Sequence, residues 1–203
     1  MANTWTSIVT QVTHAAAAKT YAQLYNAGTR VLRVYRVYVV NASLTASTPS
    51  ANTFPIFQLG RITTAIQAAG STTGCTTTAH DSTASALSSV TFNTNPTTAA
   101  PSAIFRRRLY SPDDYAASVM KIDNLQGMIP LSILWDGGYG DTNVEPIVIT
   151  QNQGLILYSP ASAAQGACDV IVEFTDSATY WLSKPTESME HPNGWVCPVM
   201  PLW

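Results

Sequence analysis

The chain has 203 residues, and only 11% of them are Asp, Glu, Lys or Arg, against roughly 25% in an ordinary soluble domain. A net charge of −2 leaves no basic stripe of the kind that nucleic-acid binding needs, and 46% hydrophobic residues exclude global disorder. The length suits one domain whose core can hold without disulfides or metal, and whose Thr, Ser, Asn and Gln surface suits cover by partner subunits.

Residues 1–18 alternate at first (Thr4-Trp-Thr-Ser-Ile-Val-Thr10) and end in Ala15–Ala18, which reads as an N-terminal arm. No basic or apolar leader opens it, so synthesis in a cytoplasm is expected; without a leader, Asn41-Ala-Ser43 reads as a chance glycosylation match. Ala15–Tyr25 is the best helical candidate, although Thr20–Tyr25 also reads as a strand. Arg30–Asn41 (RVLRVYRVYVVN) is the strongest strand signal. Strict alternation puts Val31, Arg33, Tyr35, Val37 and Val39 on one face, and Leu32, Val34, Arg36, Tyr38 and Val40 on the other. Both faces are largely apolar, which predicts cover on both sides.

Further strands are expected at Ile56–Ile66, Ser88–Asn93, Ile104–Tyr110, Met128–Trp135, Pro146–Thr150, Gly154–Tyr158 and Asp169–Thr175. Turn signals fall at Asn26-Ala-Gly28, Asp136-Gly-Gly138, Gln151–Gly154 and Gln165-Gly166. Gly70–Ala86 (GSTTGCTTTAHDSTASA) has almost no apolar content and reads as a long surface loop, with Thr94–Pro101 a shorter one. In Asp169–Thr175, Val170, Val172 and Phe174 point inward. Residues 185–203 hold Pro185, Pro192, Pro198 and Pro201 beside Trp195 and Trp203; they exclude a helix or central strand and read as an extended C-terminal arm. The expected fold is all-β: an antiparallel two-sheet sandwich, jelly-roll-like, with a body at 19–184 and arms at 1–18 and 185–203.

Candidate chemistry is sparse. His80-Asp81-Ser82 has the residue types of a hydrolase triad, but consecutive side chains splay apart, and a local turn is the expected role. Asp136-Gly-Gly-Tyr-Gly-Asp141 offers two carboxylates, short of the ligand set that calcium needs, and Asp113-Asp114 follows a Ser-Pro turn signal. Arg106-Arg107-Arg108 is the densest charge cluster and predicts an ion pair with an acidic neighbour, in the subunit or across an interface. Tyr21, Tyr25, Tyr35 and Tyr38 suit either a sugar platform or core and interface packing. Cys75, Cys168 and Cys197 form no CxxC and read as inert thiols.

Several short pieces in one order extend this reading. They are Lys19-Thr20-Tyr21 with Leu24-Tyr25-Asn26, Val31–Arg36, Leu59-Gly60-Arg61-Ile62-Thr63 and His80-Asp81-Ser82. Next come Arg107-Arg108 with Tyr110-Ser111, Pro146-Ile147-Val148, Gln153-Gly154-Leu155 and Glu173-Phe174-Thr175. Across residues 19–176 the chain resembles a family of tailed-bacteriophage virion proteins built on a jelly-roll-like sandwich; the pattern does not extend to the tail after Ser183. The resemblance implies a non-enzymatic decoration, cement or tail-associated protein located in the virion. Its partners would be copies of itself, with a trimer as one symmetry, and capsid or tail proteins.

Expected interface residues are Arg33, Tyr35, Val37, Arg106, Arg107, Arg108, Trp195, Val199, Leu202 and Trp203. No catalytic residue, metal, cofactor, nucleic acid or membrane is expected. A carbohydrate- or receptor-binding module of a tail or fibre is the alternative function.

Overall fold

Period-two alternation sets the architecture in the computed structural model, which describes residues 3–14, 17–41, 56–63, 71–94, 100–109, 131–137, 145–160 and 167–177. The strands are β1 (Asn3–Thr13), β2 (Lys19–Asn26), β3 (Val31–Asn41), β4 (Ile56–Ile62), β5 (Cys75–Ala79) and β6 (Val90–Asn93). β7 (Ala103–Leu109), β8 (Leu131–Asp136), β9 (Ile147–Ile149), β10 (Gln153–Ser159) and β11 (Ala167–Ser177) follow. The chain is all-β, two antiparallel sheets packed face to face, with no helix among the described residues.

The first sheet runs β5-β1-β11-β3-β8, with β9 sharing the β3 edge with β8, and the second runs β6-β2-β10-β4-β7. Without β5 and β6, the first of the described strands pairs with the last (β1 with β11) and the second with the next to last (β2 with β10). That is a long hairpin folded over on itself, the jelly-roll winding. β5 and β6 add one outer strand to each sheet.

The inner faces meet in one core. Val9, Leu32, Val34, Val37, Val39, Val170, Val172 and Phe174 from the first sheet pack against Ala22, Leu24, Phe57, Leu59, Phe92, Leu155 and Leu157 from the second. A cavity of about 10 Å³ remains between Ala22, Leu24, Val37, Phe92, Leu157 and Val172. Apolar walls and so small a volume leave it dry and without room for a ligand.

Four expectations are corrected. Residues 3–13, assigned to an N-terminal arm, are extended but form an inner strand between β5 and β11. Trp5, Ser7, Val9 and Val12 are its buried positions. The pattern was hidden by Ser7, whose hydroxyl lies 2.7 Å from that of Thr77, and by a bulge between Val9 and Val12 where Gln11 takes φ 57°. Cys75–Ala79, assigned to a surface loop, is strand β5. The helical option over Ala15–Tyr25 gives way to β2.

The fourth correction concerns β3. Opposite Glu173 and Phe174 it carries an extra residue, Tyr35, and the bulge reverses the parity of its side chains. Leu32 and Val34 face inward before it, and Val37 and Val39 after it. The two apolar faces of the sequence are thus two halves of one inner face, and the outer face carries Arg33, Arg36, Tyr38 and Val40, all partly exposed. Cover on both sides belongs instead to β2 and β10. On the outer face of the second sheet, Tyr25, Ile62, Ile156 and Tyr158 form a separate buried cluster.

Candidate interaction surfaces

The outer face of the first sheet is built by register. Ile8, Ile171, Tyr38 and Ile133 lie in one row across β1, β11, β3 and β8. The next row is Thr6, Glu173, Arg36 and Asp136. Arg36 bridges the two acids, with Nε 3.5 Å from Asp136 and Nη1 3.7 Å from Glu173, while Tyr38 donates its hydroxyl to Glu173 at 3.3 Å. Burial, with the Glu173 charge next, pushes the Tyr38 phenol up. Thr76 and Thr78 continue the two rows onto β5, and Thr4 and Thr175 pair beside them, giving a flat face that is apolar along one line and hydroxyl-rich elsewhere. Arg33 and Tyr35 are half-buried on β3, at the Thr175 end of this sheet. Val37 is fully buried against the second sheet, so its side chain is not offered to a neighbouring subunit.

The arginine cluster lies on β7, an edge strand of the second sheet. Arg106 and Arg107 are exposed; for Arg108 only the backbone pairing with Phe57 is described. The acidic partner expected for this cluster is not found among the described residues. Arg106 instead lies over the Trp135 ring at 5.6 Å, Trp135 lies 6.3 Å from Phe105, and Arg61 covers Phe105 at 5.5 Å. This pair of rings flanked by two cations closes the side of the sandwich between β7 and β8, holding each guanidinium over an aromatic face.

The residues singled out for catalysis form no triad. His80 Nε2 shares a hydrogen bond with Thr6 Oγ1 at 2.7 Å. Asp81 accepts from the Thr83 amide at 2.8 Å and its hydroxyl at 2.7 Å, bonds that hold this exposed carboxyl below its usual range. That is the local turn expected of it. Asp136 is engaged by Arg36; Asp141, Asp113 and Asp114 lie outside the described residues, as do Trp195, Val199, Leu202 and Trp203. Among the described residues no three His, Cys, Asp or Glu side chains stand together as a metal site.

Two polar groups, one wholly and one partly buried, escaped the sequence reading. Asp176, wholly buried at the end of β11, pairs with Arg30 and accepts from Trp5 Nε1 at 2.8 Å and from the Asn3 amide at 3.2 Å. One carboxylate thereby ties the N-terminal strand to the β2–β3 turn, which Asn26 braces through the Gly28 amide at 3.0 Å and the Arg30 carbonyl at 2.6 Å. His14 stands 2.9 Å from the Tyr21 hydroxyl, with Phe57 packed edge-on to Tyr21. Burial, reinforced by the Lys19 charge, lowers its pKa from 6.5 to about 4. Neither has a sequence signature, because Asp176 meets Asn3, Trp5 and Arg30, and His14 meets Tyr21 and Phe57, only through the fold. Cys168 is buried and Cys75 half-buried; burial pushes both thiols up, away from the reactive thiolate.

Set beside known proteins, the chain matches no family model, no curated protein and no solved structure.

Proposed function

We propose that the chain is a non-enzymatic structural protein of a phage particle, a capsid decoration or cement protein or one associated with the head or tail. It stabilises the assembly through contacts between subunits. The observation that carries this reading is the outer face of the first sheet, where the row Ile8, Ile171, Tyr38 and Ile133 runs beside one compact charged group and many hydroxyls. A flat face with few charges loses little hydration when another subunit covers it, and its apolar row gains from leaving water. The low charge of the whole chain and the order of its resembling segments support the same reading. The sugar-binding alternative lacks such support. Tyr21 and Tyr25 are buried in the second sheet while Tyr35 and Tyr38 belong to the first, so the four tyrosines make no common platform.

Quantitative gels of purified particles test the proposal. The expected result is many copies per particle, and loss of incorporation by a folded Tyr38→Glu, Ile171→Glu double variant. Absence of the chain from washed particles, or normal incorporation of that variant, overturns it.

A further inference from the structure

The outer strands of the two sheets are not equally protected. An edge strand presents unpaired backbone groups, and natural sheets blunt such edges with charge, proline, bulges or very short strands. β7 carries Arg106 and Arg107, and beside it β8 ends in Asp136 and has Arg106 over Trp135. β6 has only four residues, and beyond it Ser71 and Thr94 exchange amide and carbonyl bonds. β5 has none of these devices. Its sequence, Cys-Thr-Thr-Thr-Ala, holds neither charge nor proline, and Thr76, Thr77 and Thr78 are exposed.

The backbone shows which groups are open. The His80 amide donates to Thr4 and the Gly74 carbonyl accepts from Thr10, so the bonded positions toward β1 are 74, 76, 78 and 80. Amide and carbonyl groups of Thr77 and Ala79, and the Cys75 carbonyl, therefore point away from the sheet. The Cys75 amide is already bound to the Thr72 carbonyl at 3.0 Å.

We propose that β5 is a strand-addition edge whose occupant is β5 of a second copy, antiparallel about a two-fold axis at Thr77. The segment is complementary to itself in this register. The two Thr77 residues exchange amide and carbonyl bonds, and each Ala79 amide donates to the opposing Cys75 carbonyl. Thr76 of one copy faces Thr78 of the other, both β-branched and uncharged, a favourable cross-strand pair. The first sheets of the two copies become one continuous sheet, and the flat outer face doubles in extent. This inference stands on the edge alone and holds whether or not the protein belongs to a particle.

Sedimentation velocity of the full chain, from low micromolar to near-millimolar concentration, tests it. The wild type should shift from monomer to dimer with concentration. Thr77→Pro removes an outward amide that β1 does not use, together with the hydroxyl that meets buried Ser7, and should stay monomeric with a melting temperature lowered by several degrees; Thr76→Lys with Thr78→Lys sets like charges opposite each other and should stay monomeric with an unchanged melting temperature. Thr76→Lys with Thr78→Glu sets opposite charges across the same register and should restore the dimer, which also serves if the proline variant fails to fold. A wild type that is monomeric throughout overturns the proposal. So does a dimer that survives the double-lysine change, or a Lys/Glu variant as monomeric as the Lys/Lys one.

Discussion

At the scale of single residues, the group with the clearest measurable consequence is His14. Its folded pKa of about 4 lies below the ordinary 6.5, so between these values the unfolded chain binds the proton that the folded chain refuses. The stability tied to neutral His14 is complete above pH 6.5 and is lost as the pH falls toward 4. At about 1.4 kcal/mol per pKa unit, and with some solvent access reducing the effect, the loss should be on the order of 2 kcal/mol. Urea unfolding across this range should show it in the wild type, while His14→Gln, which does not titrate, should have a flatter profile. Equal slopes for the two proteins would place the pH dependence elsewhere. No pattern around His14 in the sequence announces this, because Tyr21 and Phe57 reach it only through the fold.

At the scale of the strand, the β3 bulge decides which substitutions are tolerated. Val37→Lys puts an unpaired charge between the two sheets, beside Ala22, Leu24 and Phe92, and should abolish folding, at a cost of several kcal/mol. Val40→Lys projects from the outer face and should change the melting temperature by only a few degrees. Thermal denaturation of the two variants separates this bulged strand from a strictly alternating one, in which both changes would be severe. The strands that sequence makes plain are those dense in β-branched and aromatic residues: β3 and β4, and β11 with its inward Val170, Val172 and Phe174. β1 and β5 were hidden by threonine, which is β-branched and suits a strand as valine does, and by Ser7; neither residue type leaves a hydrophobic alternation to read. Parity across a bulge is invisible as well, since one extra residue leaves composition untouched. The sequence pointed to Arg33 and Tyr35 on the first sheet and to Arg106 and Arg107 on β7 of the second, but the row led by Ile8 and Ile171 depends on register, which only pairing between distant segments sets.

At the scale of the whole molecule, the winding joins the first and last described strands: Asn3 bonds to Asp176, 173 positions away. Long-range pairings of this kind slow folding, and they acquire a particular meaning during synthesis. A ribosome adding roughly 5–20 residues per second leaves β1 without its β11 partner for about 10–35 s after it emerges. For most of that wait Trp5, Val9 and Val12 have at most the five-residue β5 to pair with. The hydroxyls of Thr4, Thr6, Ser7 and Thr10 then act as solubilising spacers along a nascent strand that will end in the middle of a sheet. Thr4→Val with Thr6→Val, on the outer face, should accordingly leave the melting temperature of the purified protein nearly unchanged or slightly raised while lowering the soluble fraction on expression. An unchanged soluble yield would show that the waiting strand needs no such protection. The polar lettering that disguises β1 as a loose arm thus suits a chain whose first strand must stay harmless until its last one is made.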